Sequence, residues 1–194
     1  MNKTTLLEKL YQELLDLKSS PLYTYRTENH YFPVLGEGSA DSHIVFIGEA
    51  PGKNEAITGK PFCGAAGKIL DQLCEHAGIS RSNIYITNIV HDKPPENRDP
   101  TVHEIELYAP FLDKLIDIIQ PKVFVTLGRY SMEYIMKKYG LVEQLEPISK
   151  AHGKTYTTNQ GFDIVILYHP SVAIYSRKSL PILKKDIEVL KKYY

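Results

Sequence analysis

Leucines at positions 6, 7, 10, 14 and 17 recur every three or four residues near the start of the chain, with acidic and basic side chains between them. That spacing puts the apolar positions on one side of a helix. Residues 19–40 are rich in Pro, Tyr, Gly and polar side chains without any period, and they read as an irregular arm. Four short apolar runs follow, at 43–47, 84–87, 123–127 and 164–167. Runs of this length without polar alternation predict strands buried on both faces. Helical spacing fills the intervals at 66–77, 102–119 and 131–138, and a last helix is expected at 180–192.

Strands alternating with helices predict an α/β fold, a three-layer αβα sandwich around a four-stranded, mainly parallel sheet. Right-handed crossovers bring the loops that follow the strands to one edge of that sheet, where a ligand is expected. No repeat, low-complexity tract or linker divides the sequence. The expectation is therefore one domain over residues 1–194, with 1–40 as its N-terminal helix and arm.

Composition narrows the function classes. Of 194 residues, 43% are hydrophobic and 24% charged, as in ordinary globular proteins. Twenty-three basic and twenty-three acidic side chains cancel, so any nucleic-acid partner must be held by a local basic face. The longest apolar stretches are strand-length, against the roughly 20 residues that span a bilayer, so no membrane partner is expected. Acids among the N-terminal leucines argue against a secretion signal and for a cytoplasmic protein. Only Cys63 and Cys74 are present, too few for a disulfide scaffold or a four-thiolate site.

Three loops carry candidate chemistry. Gly48-Glu49-Ala50-Pro51-Gly52 follows the first run, with Glu55 further along, then Lys60-Pro61-Phe62 and Gly64-Ala65-Ala66-Gly67. Such a turn brings backbone amides close to a ligand, and by itself it reads equally well as a phosphate-binding turn. It lacks both the dinucleotide and the P-loop glycine spacing. Asn88 ends the second run, before Pro94-Pro95-Glu96-Asn97-Arg98-Asp99-Pro100-Thr101. A carboxamide donates and accepts at once, which matches the imide edge of uracil and opposes that of cytosine. A lone Asn can equally serve its own loop. After the fourth run, His169 in Tyr168-His169-Pro170-Ser171 either donates to an oxygen that gains charge or is an ordinary surface group. Residues 172–175 are apolar and stand beside Arg177 and Lys178, as in proteins that wedge into a base stack while holding phosphates. Lys60 and Lys93 in the other loops are the remaining candidate phosphate contacts, whereas Lys184 and Lys185 cluster after the wedge but are expected merely to solvate a helix face.

Taken in order, GEAPG, GKPF, TNIV with PPENRDPT, LGR and HPS resemble the thermostable bacterial and archaeal uracil-DNA glycosylases, the fourth family of that superfamily. The resemblance covers residues 35–192. It implies a monofunctional enzyme that flips uracil out of single- or double-stranded DNA and hydrolyses its glycosidic bond. By the same resemblance Glu49 is the catalytic acid of the glycine-proline loop and Ala50 binds uracil through its backbone. Phe62 stacks on the flipped base, Asn88 reads its edge, and His169 contacts its O2. Glu55 matches a further acid near the pocket and is a second catalytic candidate, so either Glu49 or Glu55 activates the water. Ser171, Ile174, Tyr175, Arg177 and Lys178 are expected on the DNA. A cluster-free glycosylase for hypoxanthine or xanthine, and a non-catalytic DNA-binding relative, remain as alternatives. The family holds a [4Fe–4S] cluster through four cysteines, two near the N-terminus and two flanking the Pro-Pro loop. Here Asp92 and Tyr108 fall at the latter two positions, and no cysteine precedes Cys63. A cluster needs thiolates, so no metal or other cofactor is expected, and the arm at 22–33 with Tyr108 is expected to fill its place. The basic insertion of relatives that cross-link to their product is missing, which implies turnover and not a covalent trap; a monomer is expected.

Overall fold

The computed structural model describes residues 1–193. Helix α1 (Lys3–Leu15) starts where the Asn2 side chain accepts from the Thr5 N–H, and it buries Leu10 and Leu14. The arm holds a short helix, α2 (Tyr23–Glu28), and a two-residue strand, β1 (Glu37–Gly38). Next come β2 (Ile44–Gly48), α3 (Lys53–Thr58), α4 (Ala65–Ala77) and β3 (Tyr85–Asn88). The long α5 (Val102–Ile119) opens on a capping box between Thr101 and Glu104. It leads to β4 (Val123–Leu127), α6 (Arg129–Lys138), α7 (Ile148–Ala151) and β5 (Thr155–Thr157). The chain closes with β6 (Asp163–Leu167), α8 (Val172–Tyr175), α9 (Leu180–Ile187) and a 3₁₀ segment reaching Tyr193.

The sheet has six strands in the order β1-β3-β2-β4-β6-β5. The inner four are the expected runs, paired in parallel, whereas β1 and β5 add antiparallel edges that the four-stranded expectation lacked. Both edges are too short for a period to show in the sequence. In β1, Gly38 at φ 132° passes so close to its neighbour that a Cβ would stand 2.0 Å from the Ile84 carbonyl oxygen. The arm is likewise less irregular than expected. Besides α2, it is pinned to β3 by the Thr87 hydroxyl donating to the Leu35 carbonyl at 2.6 Å. The last helix is shorter than the expected 180–192, its final turns being 3₁₀.

Alternate residues of the buried strands face opposite layers, as their period of two requires. Val45, Ile47, Phe124, Ile164 and Ile166 pack with Leu14 of α1, Leu112 and Leu115 of α5 and Ile135 of α6. Ile44, Phe46, Val123, Val125 and Val165 pack with Leu70 and Leu73 of α4 and Leu183 and Ile187 of α9. Two helical layers thus cover the two faces, and the C-terminal ends of β2, β3, β4 and β6 emerge at one edge. Among the described residues no helix is long and apolar enough to cross a membrane.

Candidate active site

A cavity of about 470 Å³ opens at that edge, lined by Glu49, Ala50, Glu55, Phe62, Asn88, His169, Ser171 and Tyr175 together with the 97–100 segment of the loop after β3. Eight of the eleven residues that the resemblance assigns to the site therefore meet in one place. Ile174 is exposed beside Tyr175 on α8, and Arg177 and Lys178 are exposed just beyond.

The floor depends on Gly48. A Cβ there would stand 2.3 Å from Asn88 Oδ1 and 2.8 Å from the Phe62 ring, so only glycine lets both side chains close over the end of β2. Parallel pairing sets Gly48 opposite Asn88, which fixes the carboxamide at the base of the cavity. Asn88 is buried, and its Oδ1 has no hydrogen-bond partner among the described residues. Phe62 is buried with its ring centroid 5.7 Å from that of His169, the two planes tilted by 34°.

His169 is oriented by the residue two positions on. The Ser171 N–H donates to Nδ1 at 3.2 Å, and the Ser171 hydroxyl lies 2.7 Å from the same nitrogen. A backbone N–H can only donate, so Nδ1 accepts and the proton of the neutral ring belongs on Nε2. Burial pulls the imidazole down to about 4, which keeps the ring neutral near pH 7.

Glu49 is seated against the start of α6. Its Oε1 accepts from the Tyr130 N–H at 3.0 Å. Gly128 at φ 102° makes room, since a Cβ there would stand 2.5 Å from that oxygen. Burial raises the carboxyl above its ordinary range, the Tyr130 N–H opposes this, and nearby Asp99 adds to it. Tyr130 in turn donates its hydroxyl to Asp99 at 2.8 Å, tying α6 to the loop after β3. Sequence reasoning gave Gly128, Tyr130 and Asp99 no role. The signal was present all the same, because β4 ends at the same sheet edge as the other three strands. Glu55, offered as a catalytic acid, accepts the Gly64 N–H at 2.8 Å and so ties α3 to the start of α4. Lys93 departs from the expectation of a phosphate contact. It is buried, donates to the Pro94 carbonyl at 2.9 Å and lies over the Tyr25 ring, so its ammonium does not face a phosphate.

Asp92 and Tyr108, the two positions that the resemblance sets against cluster cysteines, belong to a buried polar network. Tyr108 donates to Asp92 Oδ2 at 2.6 Å, Arg26 from α2 reaches the same carboxylate at 3.1 Å, and Ser20 pairs with the Tyr108 hydroxyl at 2.8 Å. All four are buried. Cys63 is exposed on the pocket loop and Cys74 is buried in α4, so neither belongs to this network. A carboxylate–guanidinium pair and a phenol supply no thiolate, and these residues do not fit an iron–sulfur cluster.

Relatives are consistent with this geometry. The "Type-4 uracil-DNA glycosylase" of Sulfurisphaera tokodaii is 42% identical over 189 residues, covering 95% of this chain and 83% of the relative. That of Saccharolobus solfataricus is 44% identical over 81% of this chain and 74% of its own length. The Thermotoga maritima protein of the same name is 35% identical over 97% and 94% respectively. The profile described as "Uracil DNA glycosylase superfamily" matches residues 35–191, from the end of the arm through the pocket to the last helical turns, and the chain belongs to that superfamily.

Proposed function

We propose that this protein excises uracil from DNA as a monofunctional glycosylase, with residues 1–194 working as one domain. The observation that carries the reading is Asn88, a buried carboxamide on the cavity floor whose oxygen lacks a partner among the described residues. An unmet buried polar group costs about 1–3 kcal/mol, which a base presenting a donor beside an acceptor would recover. Uracil has that edge, and the names of the relatives favour the same substrate.

The rest of the cavity suits the reaction. A base must leave the duplex before its glycosidic bond can be reached. Stacking on Phe62 offsets part of that cost, at about 1–3 kcal/mol per base. Exposed Ile174 and Tyr175 are placed to fill the vacated stack, with Arg177 and Lys178 against the backbone. As the C1′–N1 bond breaks, negative charge grows on uracil, and the Nε2–H of neutral His169 donates to O2. A neutral donor is suited to a leaving anion because its hydrogen bond strengthens as charge develops. Glu49, held by α6, orients the attacking water and stabilises the positive charge on the sugar. Glu55 shapes the pocket loop. The enzyme acts in the cytoplasm as a monomer, and light scattering of the purified protein checks the mass.

The test is Asn88→Asp. The substitution turns the donor facing O4 into an acceptor, so uracil excision falls and the relative preference moves towards cytosine. Unaltered uracil kinetics would remove Asn88 as the reading residue.

A further inference from the structure

Phe62 has a backbone φ of 49°, the left-handed region that residues with a bulky side chain rarely adopt. Such a conformation persists only where its surroundings over-determine it. Here the Phe62 carbonyl is gripped from outside the cavity. Arg81 donates to it through Nη1 and Nη2, both at 3.2 Å, and through Nη2 to the Pro61 carbonyl at 2.7 Å. Asp71 of α4 accepts from Nη1 at 2.6 Å and aims the fork. On the other side, Gly67 yields the space for the turn, since a Cβ there would stand 1.7 Å from the Phe62 oxygen. With the carbonyl turned towards Arg81 and Gly67, the ring is left facing Gly48, Asn88 and His169.

We propose that Arg81 is a positioning residue for base stacking, holding Phe62 in the strained turn that presents its ring to an extruded base. This rests on the reading of Phe62 as the stacking residue. Arg81 itself does not line the cavity. It acts only through the backbone of residues 61 and 62, and its planar fork is what spans both carbonyls. A lysine in its place offers one compact ammonium that cannot hold two acceptors in a fixed plane.

A double-mutant cycle separates this role from general support of the fold. Single-turnover uracil excision is measured for the wild type, R81A, F62A and the combined variant. R81A is expected to lose roughly tenfold in the wild-type background and less than about twofold in the F62A background, the mark of coupled residues. Equal losses in the two backgrounds would overturn the proposal, as would full activity of R81A alone. Should R81A fail to fold, R81K removes the fork while keeping the charge and stem, and the same non-additivity with F62A is required of it. Undiminished excision by F62A would instead overturn the stacking role of Phe62, a result that needs no change at Arg81.

Discussion

The Ser171 N–H donates to Nδ1 of His169 at 3.2 Å, and this one contact decides which face of the ring can act. With Nδ1 accepting, Nε2–H is the only donor left, and burial holds the ring neutral with a pKa of about 4. His169→Ala is therefore expected to lower single-turnover excision by roughly 10²–10³-fold, the range for a lost oxyanion donor. Binding of uracil-containing DNA changes little, because the charge His169 meets exists only in the transition state. Unimpaired chemistry in this variant, measured by rapid quench, would contradict the assignment.

In the role proposed for it, Glu49 is expected to set the acid side of the pH profile. Its carboxyl is raised above the ordinary range by burial, and orienting water requires the ionised form. The rate is expected to climb through an ionisation above the usual carboxylate value and then level off. Glu49→Gln removes that limb and lowers the plateau by about 10²–10⁴-fold. Folding must be followed by circular dichroism at each pH. His91 and His169 are both held near about 4 in the fold but ionise at 6.5 when free. The unfolded chain then binds more protons, so stability declines as pH falls from 6.5 towards 4. A limb that tracks unfolding, or one that survives in Glu49→Gln, would assign it elsewhere.

Tyr108 and Asp92 staple the arm to the sheet. Removing the phenol in Tyr108→Phe leaves Asp92 short of one partner and the Ser20 hydroxyl without the acceptor of its proton, while the Leu22 N–H still donates to Ser20, at about 1–3 kcal/mol. For a chain of this length each kcal/mol lowers Tm by about 2–4 °C. Excision at low temperature is expected to persist, because the network lies away from the cavity-lining residues. An unshifted melting curve would show that the network carries no stability.

What the sequence disclosed divides along physical lines. The four inner strands were legible because each is buried on both faces and so shows an unbroken apolar run. The pocket loops were legible because strand ends in a parallel sheet gather at one edge. The strands β1 and β5 left no trace, since two or three residues cannot display a period. Contacts between distant positions were equally silent. Nothing local at Arg81 points to the carbonyl of Phe62, and nothing local at Arg26 points to Asp92, 66 positions away. Lys93 misled for the same reason, because its burial under Tyr25 is a tertiary fact.

Uracil excision by a protein without the cluster that the resemblance implies is tested in both halves by one measurement. Purified protein is analysed for iron by mass spectrometry, and the same preparation is assayed on oligonucleotides containing uracil, hypoxanthine or xanthine, single- and double-stranded. The expected result is efficient release of uracil, preferred over the other two bases, from colourless protein with far less than one iron per chain. Release of uracil only by a brown, iron-loaded fraction, or no release of uracil at all, would contradict the account.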